Sequence, residues 1–132
     1  MKITGVNPQV ITKDPENVIA FFEALGFKRT HNKAEDNDVA FSSVRMKRMK
    51  DGSDEEAFRI DIISSPDTVK IPQDLTAIRI NVDDFEETCE LLKSRGYTER
   101  PGFGTQGTAS SKYMYFRAPS GVLIDITQHI KN

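Results

Sequence analysis

The sequence predicts an α+β fold: two tandem βαβββ units forming curved mixed sheets around a concave cavity, with helices on the outer faces. Three observations predict it. Short β-branched runs with period-2 alternation mark strands, two capped segments with apolar residues at helical spacing mark helices, and the second half repeats the first. At a constant offset Val10 falls on Ile80, Asp14 on Asp84, Glu16 on Glu86, Gly26 on Gly96 and Phe27 on Tyr97. Near the ends of the halves Ile60-Asp61-Ile62 matches Ile124-Asp125-Ile126. One unit leaves a sheet face uncovered, so two must pair within the chain or across a dimer.

The elements follow in order. Ile3 to Thr12 is β-branched and uncharged, a strand. Asp14 is a helix N-cap, Pro15 suits the first helical position, and Glu16 complements the dipole. Val18, Phe21, Phe22 and Leu25 form the predicted apolar stripe, and Gly26 stops the helix. Phe27 to Thr30 is a second strand, and Asn32 to Asp38 a polar turn. Val39 to Lys50 and Ala57 to Ser64 are strands joined by a turn at Asp51-Gly52. Ser65 to Asp74, with Pro66 and Pro72, reads as a linker between a first unit, residues 1–64, and a second, residues 75–132, within one domain spanning 1–132. Ala77 to Val82 is then a strand, and Asp84 caps a helix with the stripe Phe85, Cys89 and Leu92. Gly96-Tyr97 stops that helix and enters a strand, and Tyr113 to Arg117 and Val122 to Thr127 form a hairpin around Pro119-Ser120-Gly121.

Composition narrows the partners. A chain of 132 residues with 29% charged and 37% hydrophobic residues fits one globular domain. No apolar run spans a bilayer, no signal-peptide pattern opens the chain, and a lone Cys89 excludes an internal disulfide, so a cytoplasmic location without membrane partner is expected. A net charge of −2 gives no nucleic-acid footprint. Gly102-Phe103-Gly104-Thr105-Gln106-Gly107 spells a dinucleotide fingerprint, but no helix follows it. Pro101 to Lys112 reads as a loop, either a lid or a plain connection. Arg45, Lys47, Arg48 and Lys50, interleaved with Met46 and Met49, read as a solvated edge hairpin, with the Met residues possible dimer contacts. His31 and His129 are assigned ordinary roles, and Cys89 a small core residue.

Alternation also assigns faces. Val6 and Val10, Phe58, Ile60 and Ile62, Ile78, Ile80 and Val82, and Val122, Ile124 and Ile126 should pack on the helices. That leaves Asn7, Gln9, Asp61, Arg79, Asn81 and Asp125 on the concave face, with Tyr113 and Tyr115 nearby. Charges are costly to bury unpaired, so such a face is expected to line a ligand pocket. Either Arg79 grips an anion or the two Asp grip a cation, and Tyr113 and Tyr115 either stack on the ligand or simply pack in the sheet. Asp61 and Asp125 are weak catalytic candidates for proton transfer. The competing structural reading has Arg79 bridging Asp61 and Asp125 as an ion network.

Two blocks resemble a known family. Val18-Ile19-Ala20-Phe21-Phe22-Glu23-Ala24-Leu25-Gly26-Phe27 is similar to the first helix, and Arg117-Ala118-Pro119-Ser120-Gly121-Val122-Leu123-Ile124-Asp125-Ile126 to the closing hairpin, of the vicinal oxygen chelate superfamily. That superfamily includes lactoylglutathione lyase, extradiol dioxygenases and bleomycin-resistance proteins. The resemblance implies four metal-ligand positions, two of them often His and two often Glu. Here they are Asn7, Asp61, Ala77 and Asp125, so two imidazoles are missing, one position is a methyl, and two carboxylates are shortened. The expectation is therefore a small-molecule-binding protein with no resident metal or other cofactor. The alternative is a divalent-metal-dependent lyase, isomerase or dioxygenase with an unconventional site, and a third reading is an interaction module with a vestigial pocket. The resemblance further implies a homodimer.

Overall fold

The computed structural model describes residues 2–33, 42–65, 70–100 and 111–129. The first half runs β1 (Ile3–Thr12), α1 (Pro15–Ala24), β2 (Lys28–Lys33), β3 (Ser42–Met49) and β4 (Glu56–Ser64). The second runs β5 (Leu75–Val82), α2 (Phe85–Ser94), β6 (Thr98–Glu99), β7 (Ser111–Arg117) and β8 (Leu123–His129). The predicted α+β order is therefore present. All eight strands join one mixed, unclosed sheet in the order β2-β3-β4-β1-β5-β8-β7-β6. Each half is mirrored in the other: β1 pairs parallel with β4, β5 pairs parallel with β8, and the halves meet where β1 and β5 run antiparallel.

Local chemistry places the helices. Asp14 Oδ1 accepts from the Asn17 amide at 3.4 Å and Asp84 Oδ1 from the Glu87 amide at 2.9 Å, so equivalent residues cap both N-termini. Both helices end at a glycine with positive φ, +94° at Gly26 and +88° at Gly96. A Cβ on Gly26 would also lie 2.9 Å from Arg48 Nε, which donates to the Leu25 carbonyl.

The face of α1 differs from the predicted stripe. Ile19 is its buried centre and Val18 and Phe22 pack beside it, whereas Phe21 and Leu25 are 61% and 51% exposed. Under α1 lie Met46, Ile60 and Ile62, and under α2 lie Val82, Met114, Phe116 and Ile126. Met46, fully buried, is thus a core residue rather than a dimer contact, and β3 is an inner strand rather than a sheet edge. The outer face is also less covered than its apolar pattern predicts. Val6, Phe58, Ile78 and Val122 remain exposed, because two ten-residue helices, each roughly 15 Å long, cannot roof an eight-stranded sheet.

Candidate functional site

The face of the sheet opposite the helices collects the polar residues, and it has two ends. At one end Ile11, Ile63, Ala77, Tyr115 and Leu123 form a buried apolar cluster joined by Ile71, Leu75 and Tyr113. The rest of the face is polar and nearly as dry: Asn7 is 5% exposed, Gln9 2%, Asp61 2% and Asp125 4%. Strand register explains the grouping. Gln9 stands opposite Asp61 and Ala77, Asn7 opposite Arg79, and Arg79 opposite Asp125.

Two hydrogen-bonded networks result. In the first, Asp61 accepts from Arg45 Nε at 2.9 Å and Nη2 at 3.3 Å, from Arg79 Nη1 at 3.2 Å and from Asn7 Nδ2 at 3.0 Å. Burial pushes the Asp61 carboxyl up, but the Arg45 hydrogen bond and the charges of Arg45 and Arg79 outweigh it and hold the group below its ordinary 3.8. In the second, Tyr115 donates its hydroxyl to Gln9 Oε1 at 2.9 Å, Gln9 Nε2 donates to Asp125 Oδ2 at 2.9 Å, and Thr127 Oγ1 donates to Asp125 Oδ1 at 2.8 Å. Here burial wins over Arg79 and the two hydrogen bonds, and the Asp125 carboxyl lies above 3.8. Burial and the neighbouring Asp125 charge likewise lift the Tyr115 phenol well above its usual value.

The sequence reading is corrected in three places. Arg79 does not bridge the two aspartates: among the described residues its ion pair is with Asp61 alone, so the expected structural network is half made. Arg45, read as part of a solvated hairpin, is 24% exposed and closes on Asp61. Thr127 completes the partners of Asp125. Arg45 and Thr127 are thus site residues that sequence reasoning missed. Asn81 is in the predicted place, 9% exposed on the same face as Arg79, yet it joins neither network, and its Oδ1 is buried without a partner. Tyr113 packs edge-on against Tyr115, with centroids 6.0 Å apart. The glycine-rich motif at 102–107 and the side chain of His31 lie outside the described residues. Cys89 is buried in the α2 cluster as expected, and burial pushes its thiol up to about 11.

The donor set does not fit the metal that the fold family implies. Of its four positions, Ala77 contributes a methyl to the apolar cluster, and Asn7 directs its amide nitrogen at Asp61. Asp61 already faces two guanidiniums, which would repel a cation, and both oxygens of Asp125 accept hydrogen bonds. No three of His, Cys, Asp and Glu converge among the described residues. A separate cavity of about 570 Å³ opens on the helix-bearing side, lined by Val6, Pro8, Phe22, Phe27, Phe58 and Ile60 among others.

A mixed sheet of two parallel-paired halves, with one helix each and a polar inner face at the junction, defines a paired βαβββ protein. The sequence profile of the Glyoxalase/Bleomycin resistance protein/Dioxygenase superfamily matches residues 5–126, and the chain belongs to that family. Among solved structures it is similar to methylmalonyl-CoA epimerase from Mycobacterium tuberculosis, with 20% identity, a TM-score of 0.65, and 98% of this chain and 90% of that one covered. It is also similar to a Streptomyces coelicolor methylmalonyl-CoA epimerase variant in complex with 2-nitronate-propionyl-CoA, with 14% identity, a TM-score of 0.66, and 96% and 95% covered. An uncharacterised Methanosarcina mazei protein is 16% identical, with a TM-score of 0.57 and 100% and 97% covered. At these identities the likeness concerns the fold. No curated protein sequence matches significantly. Among the described residues no helix is long and apolar enough to cross a membrane.

Proposed function

We propose that this chain binds a small molecule on its inner face without the divalent metal of its family. The observation that carries this reading is the saturation of Asp61. A carboxylate already engaged by Arg45, Arg79 and Asn7 has little left to offer a cation, and removing those partners to admit one would strand two guanidiniums. The inner face meanwhile offers an apolar cluster beside a set of fixed polar groups, the usual composition of a ligand site. The test is thermal unfolding of metal-stripped protein with Mg, Mn, Fe(II), Co, Ni and Zn in turn. No metal is expected to raise the midpoint. A metal at about a hundred times its dissociation constant would add roughly 2.7 kcal/mol, and a rise that disappears in the Asp61→Ala/Asp125→Ala double variant would overturn the reading.

A second reading is favoured by Asp125, a buried carboxyl held towards its protonated form and hydrogen-bonded on both oxygens. Such a group suits proton transfer, and the likeness to structures named as epimerases agrees with an enzyme. In this reading the chain is a lyase or isomerase that works by proton transfer. Turnover that is lost in Asp125→Asn, with the fold intact, would decide for it.

The homodimer belongs to the same proposal. Val6, Phe58, Ile78 and Val122, between 41% and 61% exposed, leave an apolar face between the helices that a second copy would cover. Light scattering at micromolar protein is expected to give a dimeric mass, reduced to the monomer by Phe58→Asp. A monomeric mass for the unaltered chain would remove the dimer.

A further inference from the structure

The polar part of the inner face holds more guanidinium donors than its ion pairs take up. Arg45 and Arg79 converge on a single carboxylate, that of Asp61, which also accepts from Asn7. Each guanidinium has five N–H donors, and one shared carboxylate cannot take up both sets. Asp125, opposite Arg79 in the ladder, does not close the balance with an ion pair, because its oxygens are held by Gln9 and Thr127. Two further atoms stand open. Arg79 Nε is buried with no acceptor, and Asn81 Oδ1 is buried with no donor. Buried polar groups are expensive to leave unmade, and these two belong to residues roughly 7 Å apart on one face of β5.

Building on the small-molecule reading of this face, we propose that its polar end is a site for a small hydroxycarboxylate. Arg45 and Arg79 hold the carboxylate, and Asn81 Oδ1 accepts from the ligand hydroxyl. Guanidinium forks match a carboxylate in shape as well as in charge, which a cation-selective or purely apolar pocket would not require. The donors it recruits are those that Asp61 leaves unused.

Lactate is the probe and lactamide, its neutral counterpart, the control, in a titration of ¹⁵N-labelled protein that follows the arginine Nε–H resonances at constant ionic strength. Lactate is expected to move the Arg79 resonance saturably, with the exposed Arg59 resonance unmoved and lactamide without effect. Affinity should fall about tenfold in Arg79→Lys, which keeps the charge but loses the fork, and in Arg45→Gln, each first checked for folding by circular dichroism. An Arg79 resonance that does not respond to lactate, an equal response to lactamide, or undiminished binding in both variants would overturn the carboxylate site. Binding of lactamide without lactate would remove this inference and leave the small-molecule reading intact. A metal-dependent midpoint shift in the scan above would remove that reading instead.

Discussion

Asp61 and Asp125 occupy matching places in the two halves of the chain. Each lies on the strand that pairs parallel with its half's first strand, and each faces an aromatic or basic residue on the preceding hairpin strand, Arg45 for Asp61 and Tyr115 for Asp125. The first strands match in the same way, with Gln9 in the place of Arg79. Around Asp61 these positions supply two guanidiniums, and around Asp125 they supply a phenol and an amide. One carboxyl is consequently held below its ordinary value as a fixed anion, and the other is pushed above it. A duplicated scaffold thus builds two different chemical environments without altering its backbone plan. The exchanges of Arg45 for Tyr115 and of Arg79 for Gln9, with Asn7 beside Asp61 and Thr127 beside Asp125, set this difference between two buried carboxyls.

The largest test of this contrast is Asp61→Ala. It leaves Arg45 and Arg79 without their counter-charge in a nearly dry setting, and breaking a buried pair from one side costs about 3–5 kcal/mol. Urea denaturation should register most of that loss at neutral pH. A loss under about 1 kcal/mol would mean that solvent already balances the two guanidiniums, and the contrast with Asp125 would be one of position only.

The residues of this face were legible in the sequence, whereas the contrast between its two carboxyls was not, and the reasons are physical. Period-2 alternation put Asn7, Gln9, Asp61, Arg79, Asn81 and Asp125 on one face correctly, since a strand offers only two faces. Arg45 escaped because its basic run looks solvated in isolation, and only its register against Asp61 buries it. The repeat that aligns Gly26 with Gly96 also sets Arg45 on Tyr115, and that signal would have found it. The face of α1 was ambiguous for another reason. Val18, Phe21, Phe22 and Leu25 satisfy helical spacing, and so do Pro15, Val18, Ile19 and Phe22. A helix apolar around so much of its circumference does not reveal which stripe meets the sheet.

A smaller effect is expected at Tyr115. Tyr115→Phe keeps the ring against Ile11, Ala77 and Tyr113 but removes the donor to Gln9 Oε1, leaving a buried acceptor open. The cost should be about 1–2 kcal/mol by chemical denaturation. A neutral result would show that Gln9 finds another donor, and the Tyr115–Gln9–Asp125 chain would then not fix the surroundings of Asp125.

The smallest effect, and the sharpest discrimination, belongs to Asp125→Asn. The amide reproduces the shape of a protonated carboxyl, and the Thr127 hydroxyl can turn to accept from it, so at acidic pH the cost should be about 1 kcal/mol or less. The pH dependence carries the sign. A carboxyl whose folded value lies above 3.8 binds its proton more tightly when folded, so its contribution is fully present below 3.8 and is lost as pH rises through the folded value. Asp61, held below 3.8, does the reverse: its contribution is present above 3.8 and is lost only as pH falls through its depressed value. The gap in stability between the unaltered chain and Asp125→Asn should therefore shrink, or change sign, as pH rises from 3.8 towards neutral. The corresponding gap for Asp61→Asn should stay constant over that range and close only in stronger acid. Parallel profiles for the two variants would mean that the two carboxyls are shifted in the same direction, and the partners would then not set them apart.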